Sequence, residues 1–203
     1  MMQTTLRPVK IGLFFGLLNL LFGIFWAAYI TINHEAIHND FTAMERAGIE
    51  QKAALTAPKV ETPLHEHGAK GHAHDKGAHH EVKEQAVKSD HHGSARAGEA
   101  HERLTRGHIH AMGLGLVTIA VSLILAFITA GARLKTLGSV SAGVGGFLYP
   151  FAWIIMGYRT VTLGAAAAAE SVLPITALSV ALVATGLLIS MFFVVRAILK
   201  GEG

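Results

Sequence analysis

Histidine is the residue type in this sequence with the clearest chemical use, because imidazole nitrogen is the commonest protein ligand of zinc and copper. The chain contains 13 histidines, and all of them lie between His34 and His110. We expect one group of them to converge on a single divalent transition metal, copper or zinc. This group flanks the first two long apolar segments: His34, His38, His101 and His108. Further candidate ligands for the same ion are Glu35, Glu170 and His110.

Helical spacing places these histidines on shared faces. His34 and His38 are one turn apart, and His101 and His108 are two turns apart. Both apolar segments are long enough to cross a membrane as helices. The first would leave it and the second would enter it on the same side, so the two pairs can meet despite the long connection between them. His110 points about 200° away from His108, at about 100° per residue. We therefore expect His108 to face the bundle interior and His110 to face lipid head groups or a flanking helix.

The same histidines allow a second interpretation, a b-type haem held by one axial histidine from each helix. Arg159 or Arg106 would then lie near the haem propionates. Tyr149 and Trp153 could line a haem or quinone cleft. On this interpretation the chain is an electron-transfer or quinone-linked membrane subunit.

The sequence from His34 to His38 also matches H-E-x-x-H. In metalloproteases two histidines on adjacent helical turns hold zinc, and the glutamate, here Glu35, activates its water. A chance match is frequent in a His-rich region, and no third-ligand signature follows this one. A non-enzymatic role is therefore favoured, with a membrane metalloprotease as the alternative.

Between the first two apolar segments lies a run rich in His, Gly, Ala, Lys and Glu, and poor in large apolar side chains. Such a composition cannot bury enough surface to offset the entropy of ordering, which predicts disorder or a marginal helix. Clustered imidazoles without a preformed fold are typical of a segment that collects metal. Its histidines are His65, His67, His72, His74, His79, His80, His91 and His92. The run resembles the His-rich loops of zinc, nickel and cobalt transporters.

The overall composition is that of a membrane protein. Hydrophobic residues make up 51% of the chain and charged residues only 15%, against about a quarter in soluble domains. Four segments contain no Lys, Arg, Asp or Glu, namely residues 11–32, 109–131, 137–158 and 172–195. Each is long enough to cross a hydrocarbon core of about 30 Å as a helix. The first segment exceeds a signal-peptide core and has no cleavage pattern after it, so we expect it to be retained.

The short flanking segments predict the orientation. Basic residues cluster before the first span, between the second and third, and after the fourth: Arg7, Lys10, Arg133, Lys135, Arg196 and Lys200. Such segments stay cytoplasmic. The predicted fold is an all-α integral membrane protein of four transmembrane helices in a bundle, N-in and C-in, in a bacterial-type inner membrane. Residues 1–33 form the first helix, residues 34–107 an extracytoplasmic segment that is helical only at its ends, and residues 108–203 the other three helices.

Small residues at helical spacing predict the packing faces of the spans, because glycine and alanine let helix backbones approach closely in lipid. The predicted face of the first span runs through Gly12, Gly16, Gly23 and Ala27, with Asn19 at its edge. That of the third span runs through Gly138, Ala142, Gly145 and Ala152. That of the fourth span runs through Pro174, Ala177, Ala181 and Ala184.

Other classes of function are disfavoured by composition. The chain has no cysteine, which excludes disulfides and thiolate metal sites. A formal charge of +3 mostly reflects the membrane-flanking basic residues, so no nucleic-acid partner is expected. The span interiors lack acidic residues and histidine, which argues against an ion path through one copy. We expect a role in metal handling, or as a small accessory subunit, with the lipid bilayer and other membrane subunits or further copies as partners.

Overall fold

The computed structural model describes residues 5–56 and 95–201, and these are almost entirely helical. After a 3-10 turn at Arg7–Val9 come the helices α1 (Lys10–Ile32), α2 (His34–Thr56), α3 (Ala95–Phe127), α4 (Ala132–Leu163) and α5 (Ala165–Lys200). The helices α1, α3, α4 and α5 are long and apolar enough to cross a membrane. The prediction of an all-α chain with four candidate spans is confirmed. The eight histidines of the run between the first two spans lie outside the described residues.

Helix α2 continues α1 with a single irregular residue between them. Asn33 has φ −103° and ψ 18°, yet its N–H still donates to the Tyr29 carbonyl at 3.0 Å, and its own carbonyl accepts from Ile37 N–H at 2.9 Å. The helical hydrogen-bond ladder is therefore almost unbroken where the apolar segment ends. As a result His34 begins α2 directly beyond the apolar helix.

Helix α1 packs against α3 through glycines. A Cβ atom added to Gly16 would lie 2.7 Å from Ile119, and one added to Gly115 would lie 2.9 Å from the Gly16 carbonyl oxygen. The two backbones are thus in direct contact. The buried residues of α1 are Gly12, Gly16, Asn19, Gly23 and Ile30, which confirms the predicted glycine face of this helix.

One side chain of α1 compensates for a proline in α4. Pro150 has no N–H, so the Gly146 carbonyl one turn before it lacks its helical donor. Asn19 is only 1% exposed, and its Nδ2 donates to the Gly146 carbonyl oxygen at 2.9 Å. The asparagine therefore satisfies a buried acceptor that the proline would otherwise leave unpaired.

The predicted packing face of α5 is wrong. Pro174, Ala177 and Ala181 are exposed and Ala184 is half-buried, whereas the buried positions include Val172, Ser179, Gly186 and Phe193, each seven residues after the last. The face of α5 that packs against α4 is the one where the two helix backbones approach closely. A Cβ atom on Gly145 of α4 would lie 2.6 Å from the Ser179 carbonyl oxygen, and one on Gly186 would lie 2.6 Å from the Gly138 carbonyl oxygen. Small residues on α5 are so numerous that the alanines alone do not define its partner.

The two ends of the bundle differ in chemistry. At one end Arg7, Lys10 and Lys135 line a single cavity of about 910 Å³, which brings the N-terminal segment beside the α3–α4 turn. At the other end α2 packs on the first turns of α3 and on the last turns of α4. A small apolar cluster forms there: Ile30, Ile37, Phe41, Ala97, Ala100, Leu104 and Val161. This cluster holds the helices that carry the histidines.

Candidate functional site

Three of the four histidines predicted to converge line one cavity between the α1–α2 junction and α3. The cavity has a volume of about 480 Å³. Its lining consists of Ala27, Ile30, Thr31, His34, His101, Thr105 and His108. The α1–α2 wall combines Ala27 and Ile30 with Thr31 and His34, and the α3 wall consists of His101, Thr105 and His108.

The rings of His34 and His101 are in contact. Their centroids are 4.6 Å apart and their planes meet at 85°. Two imidazoles bound to one tetrahedral zinc ion have ring centres about 5 Å apart, given Zn–N bonds of about 2.0–2.1 Å. The separation of the rings is thus close to what a shared ion requires, although an edge-to-face arrangement does not aim both nitrogens at one point.

Two of these imidazoles carry buried polar atoms without a partner. The Nδ1 atoms of His101 and His108 are buried and make no hydrogen bond within the described parts of the chain. The nearby hydroxyl of Thr105 donates to the His101 carbonyl at 3.1 Å and is therefore not a donor to either nitrogen. An unpaired buried nitrogen costs about 1–3 kcal/mol. Such an atom calls for a partner, and residues 5–56 and 95–201 do not supply one.

His38 belongs to the same end of the bundle. It is half-buried on the first turn of α2, and it lies close enough to His101, as does His34, for their charges to interact. Glu35 is exposed beside them. Across residues 5–56 and 95–201, no three His, Asp or Glu side chains are already arranged as a coordination sphere. Gathering a metal would require ring rotations, which exposed side chains make on the picosecond to nanosecond scale.

His110 lies on the opposite side of α3, against α4. Its ring stacks on Trp153, with centroids 5.3 Å apart and planes at 22°, and it meets the edge of Tyr149 at 5.1 Å. Arg106 covers the Trp153 ring at 5.4 Å and pairs with Glu102. The ring of His110 thus packs against a flanking helix, α4, as expected from the sequence. It lies away from the cavity that His108 lines.

Arg159 and Glu170 form no polar contact with the four histidines among the described residues. Arg159 donates from Nη1 to the Ser171 carbonyl at 3.4 Å, and Glu170 is exposed near the beginning of α5.

Arg103 is a structural residue that sequence reasoning missed. Its side chain is only 12% exposed, and its Nη2 pairs with Glu99 at 2.8 Å. Its Nη1 donates to Thr160 Oγ1 at 2.7 Å and to the Ala165 carbonyl at 3.3 Å. These bonds tie α3 to the α4–α5 corner and so fix the rotation of the turn that carries His101. The Glu99-x-x-x-Arg103 spacing was the available signal.

Comparison with protein-family models, with curated proteins and with solved structures finds no match to this chain. The basis for a functional proposal is therefore the chemistry and arrangement of its own residues.

Proposed function

We propose that this chain is a multi-pass inner-membrane protein that binds a divalent transition metal at the outer end of its helices. Four candidate spans support the membrane assignment. Basic residues in the short segments at one end, with Arg7, Lys10 and Lys135 around one cavity, support an orientation with both termini inside and residues 34–107 outside.

The observation that carries the proposal is the contact between His34 and His101 beside His108. These residues line one cavity, the first two rings are 4.6 Å apart, and two of the three imidazoles have an unpaired buried nitrogen among the described residues. A bound ion would give those nitrogens the partner that they lack. Imidazoles with a carboxylate and water favour copper(II) or zinc.

The two helices contribute ligands of different mobility. His101 and His108 lie on α3, which Arg103 and Trp26 anchor; the Trp26 Nε1 donates to the Leu104 carbonyl at 3.1 Å. His34 and His38 lie at the beginning of α2, and the exposed ring of His34 can rotate onto an ion that α3 has captured. Glu35 or water would complete the sphere.

The position of the site suggests metal handling rather than transport. It lies at the end of the bundle, and the apolar parts of the spans contain no acidic residue, so a path for an ion through one copy has no ligands to follow. In the proposed role the His-rich segment raises the local metal concentration, and the site holds the ion for delivery to a partner or for use within a larger membrane complex.

The rival assignments are a haem b and a zinc protease. The contact between His34 and His101 favours a bare ion over a haem with this axial pair, since a flat macrocycle does not fit between touching rings. For the protease, α2 supplies the helical frame that H-E-x-x-H needs, with Glu35 as the base. The protease assignment predicts that Glu35→Gln abolishes cleavage of a reporter protein while metal stays bound.

Metal and pigment analysis of protein purified from its native membrane tests the proposal. We expect about one equivalent or more of copper or zinc by elemental analysis and no Soret band. A Soret band that shifts on reduction would instead establish the haem assignment. Protein with neither metal nor pigment, and with no affinity for added copper or zinc, would refute both.

A further inference from the structure

A second cavity lies on the other side of α3 from the proposed metal site. It has a volume of about 330 Å³, within the range of small-molecule sites. Residues of α3, α4 and α5 line it: His110, Leu114, Tyr149, Val180, Val183, Ala184 and Leu187. Five of the seven are aliphatic, so the cavity suits a ligand that is mostly apolar.

The two polar residues of the lining are adjacent and unpaired. The ring of His110 meets that of Tyr149 with centroids 5.1 Å apart, and neither side chain makes a hydrogen bond within the described ranges of the chain. Stacking on Trp153 fixes the plane of the imidazole. Two rings that can donate hydrogen bonds are therefore in contact within an otherwise apolar lining, which is an arrangement for orienting one polar group of a ligand.

The cavity opens on the lateral surface of the bundle, not at its end. Val180 is 51% exposed and Leu187 is 44% exposed, and both lie in the long apolar stretch of α5. That surface is where a bilayer would contact the protein, so a ligand would enter sideways from lipid rather than from water. The lining thus suits a lipid-soluble molecule with a hydrogen-bond acceptor at one end.

We propose that this cavity binds the head group of a lipid-soluble quinone, with a quinone carbonyl accepting hydrogen bonds from Tyr149 and His110. The planar ring would occupy the space beside Leu114 and Ala184, and the isoprenoid tail would leave between Val180 and Leu187. A lipid acyl chain would fill the same volume but would leave both donors unpaired. The inference is independent of the metal site, since no residue lines both cavities.

Equilibrium binding of decylubiquinone to the full chain in lipid nanodiscs tests this proposal. We expect saturable binding at one site. Tyr149→Phe removes one donor and keeps the ring, so it should weaken binding by about tenfold, the equivalent of one hydrogen bond. Ala184→Phe fills the cavity and should abolish binding. The matched control is Ala181→Phe, which adds the same side chain at an exposed position of the same helix and should bind as the unmodified chain does.

Other outcomes would overturn the assignment. Non-saturable uptake equal to that of empty nanodiscs would mean that the quinone only partitions into lipid. Equal competition by decylbenzene, which has the tail and ring but no carbonyl, would identify a groove for acyl chains. Equal loss of binding in Ala184→Phe and Ala181→Phe, with both variants eluting as the unmodified chain does on size exclusion, would place the quinone elsewhere on α5.

Discussion

His108 and His110 lie two residues apart on α3 and contact different cavities on opposite sides of that helix. His108 faces the α1–α2 junction together with His34 and His101, whereas His110 stacks on Trp153 of α4. One helical turn therefore carries a residue of each of two separate cavities. Each can be altered without removing a ligand from the other.

Metal affinity should fall steeply as the pH is lowered through about 6. A free imidazole has a pKa of about 6.5 and carries a positive charge below it, so an ion must displace protons to bind. Because several histidines are proposed as ligands, the apparent affinity should drop by more than about tenfold per pH unit below pH 6. Copper titrations at pH 7.5, 6.5 and 5.5 measure this. An affinity that does not change over that range would exclude imidazole ligands.

Deleting residues 63–92 should lower the number of metal ions bound but leave the tightest site in place. The deleted segment contains all eight histidines of the His-rich run, while His34, His101 and His108 stay. Titration calorimetry with zinc should show loss of the weaker equivalents and an unchanged first equivalent. Loss of the first equivalent would show that the strongest ligands belong to the deleted segment.

Gly186→Ala should destabilise the packing of α5 on α4. The added Cβ atom would lie 2.6 Å from the Gly138 carbonyl oxygen and 2.7 Å from the Ala142 Cβ atom, so the helices must separate, at a cost of about 1–3 kcal/mol. Gly113→Ala is the matched control, because nothing lies within 4 Å of its added Cβ atom. Thermal unfolding in detergent should show a lower midpoint for Gly186→Ala only. Equal midpoints for the two variants would contradict this helix contact.

Asn19 and Pro150 should be coupled in a double-mutant cycle. Asn19→Ala leaves the buried Gly146 carbonyl without a donor, and we expect a loss of about 1–3 kcal/mol in the free energy of unfolding. In a Pro150→Ala background the restored N–H supplies that donor, so the same substitution should cost about 1 kcal/mol less. Unfolding of the four proteins in mixed micelles gives the coupling energy. Additive effects would mean that the asparagine does not act through that carbonyl.

The features that the sequence predicts well are those set by long apolar runs. The four candidate spans follow from the lack of charged residues in each apolar run. The glycine face of α1 follows from residues such as Gly16 and Gly23, whose small size lets helix backbones approach closely. The shared cavity of His34, His101 and His108 follows from helical spacing and from the contact between the first two candidate spans.

Other features depend on which helices become neighbours, which spacing alone does not determine. The predicted face of α5 is wrong because its alanines are spread around the helix. The observed face is set by close contacts with α4, in which Ser179 meets Gly145 and Gly186 meets Gly138. The anchoring role of Arg103 depends on Thr160, which is 57 residues away in sequence. The spacing of Glu99 and Arg103 indicates their ion pair, but it does not indicate the contact with Thr160.

Copper(II) bound at less than one equivalent to the full chain, studied by pulsed electron paramagnetic resonance, tests the central claim most directly. At this ratio only the tightest site fills, and modulation from remote imidazole nitrogens reports the coordinated histidines. We expect at least two imidazoles, with one fewer after His101→Gln and no change after Glu170→Gln. The proposed site would be contradicted if the spectrum stayed unchanged in all three variants, His101→Gln, His34→Gln and His108→Gln.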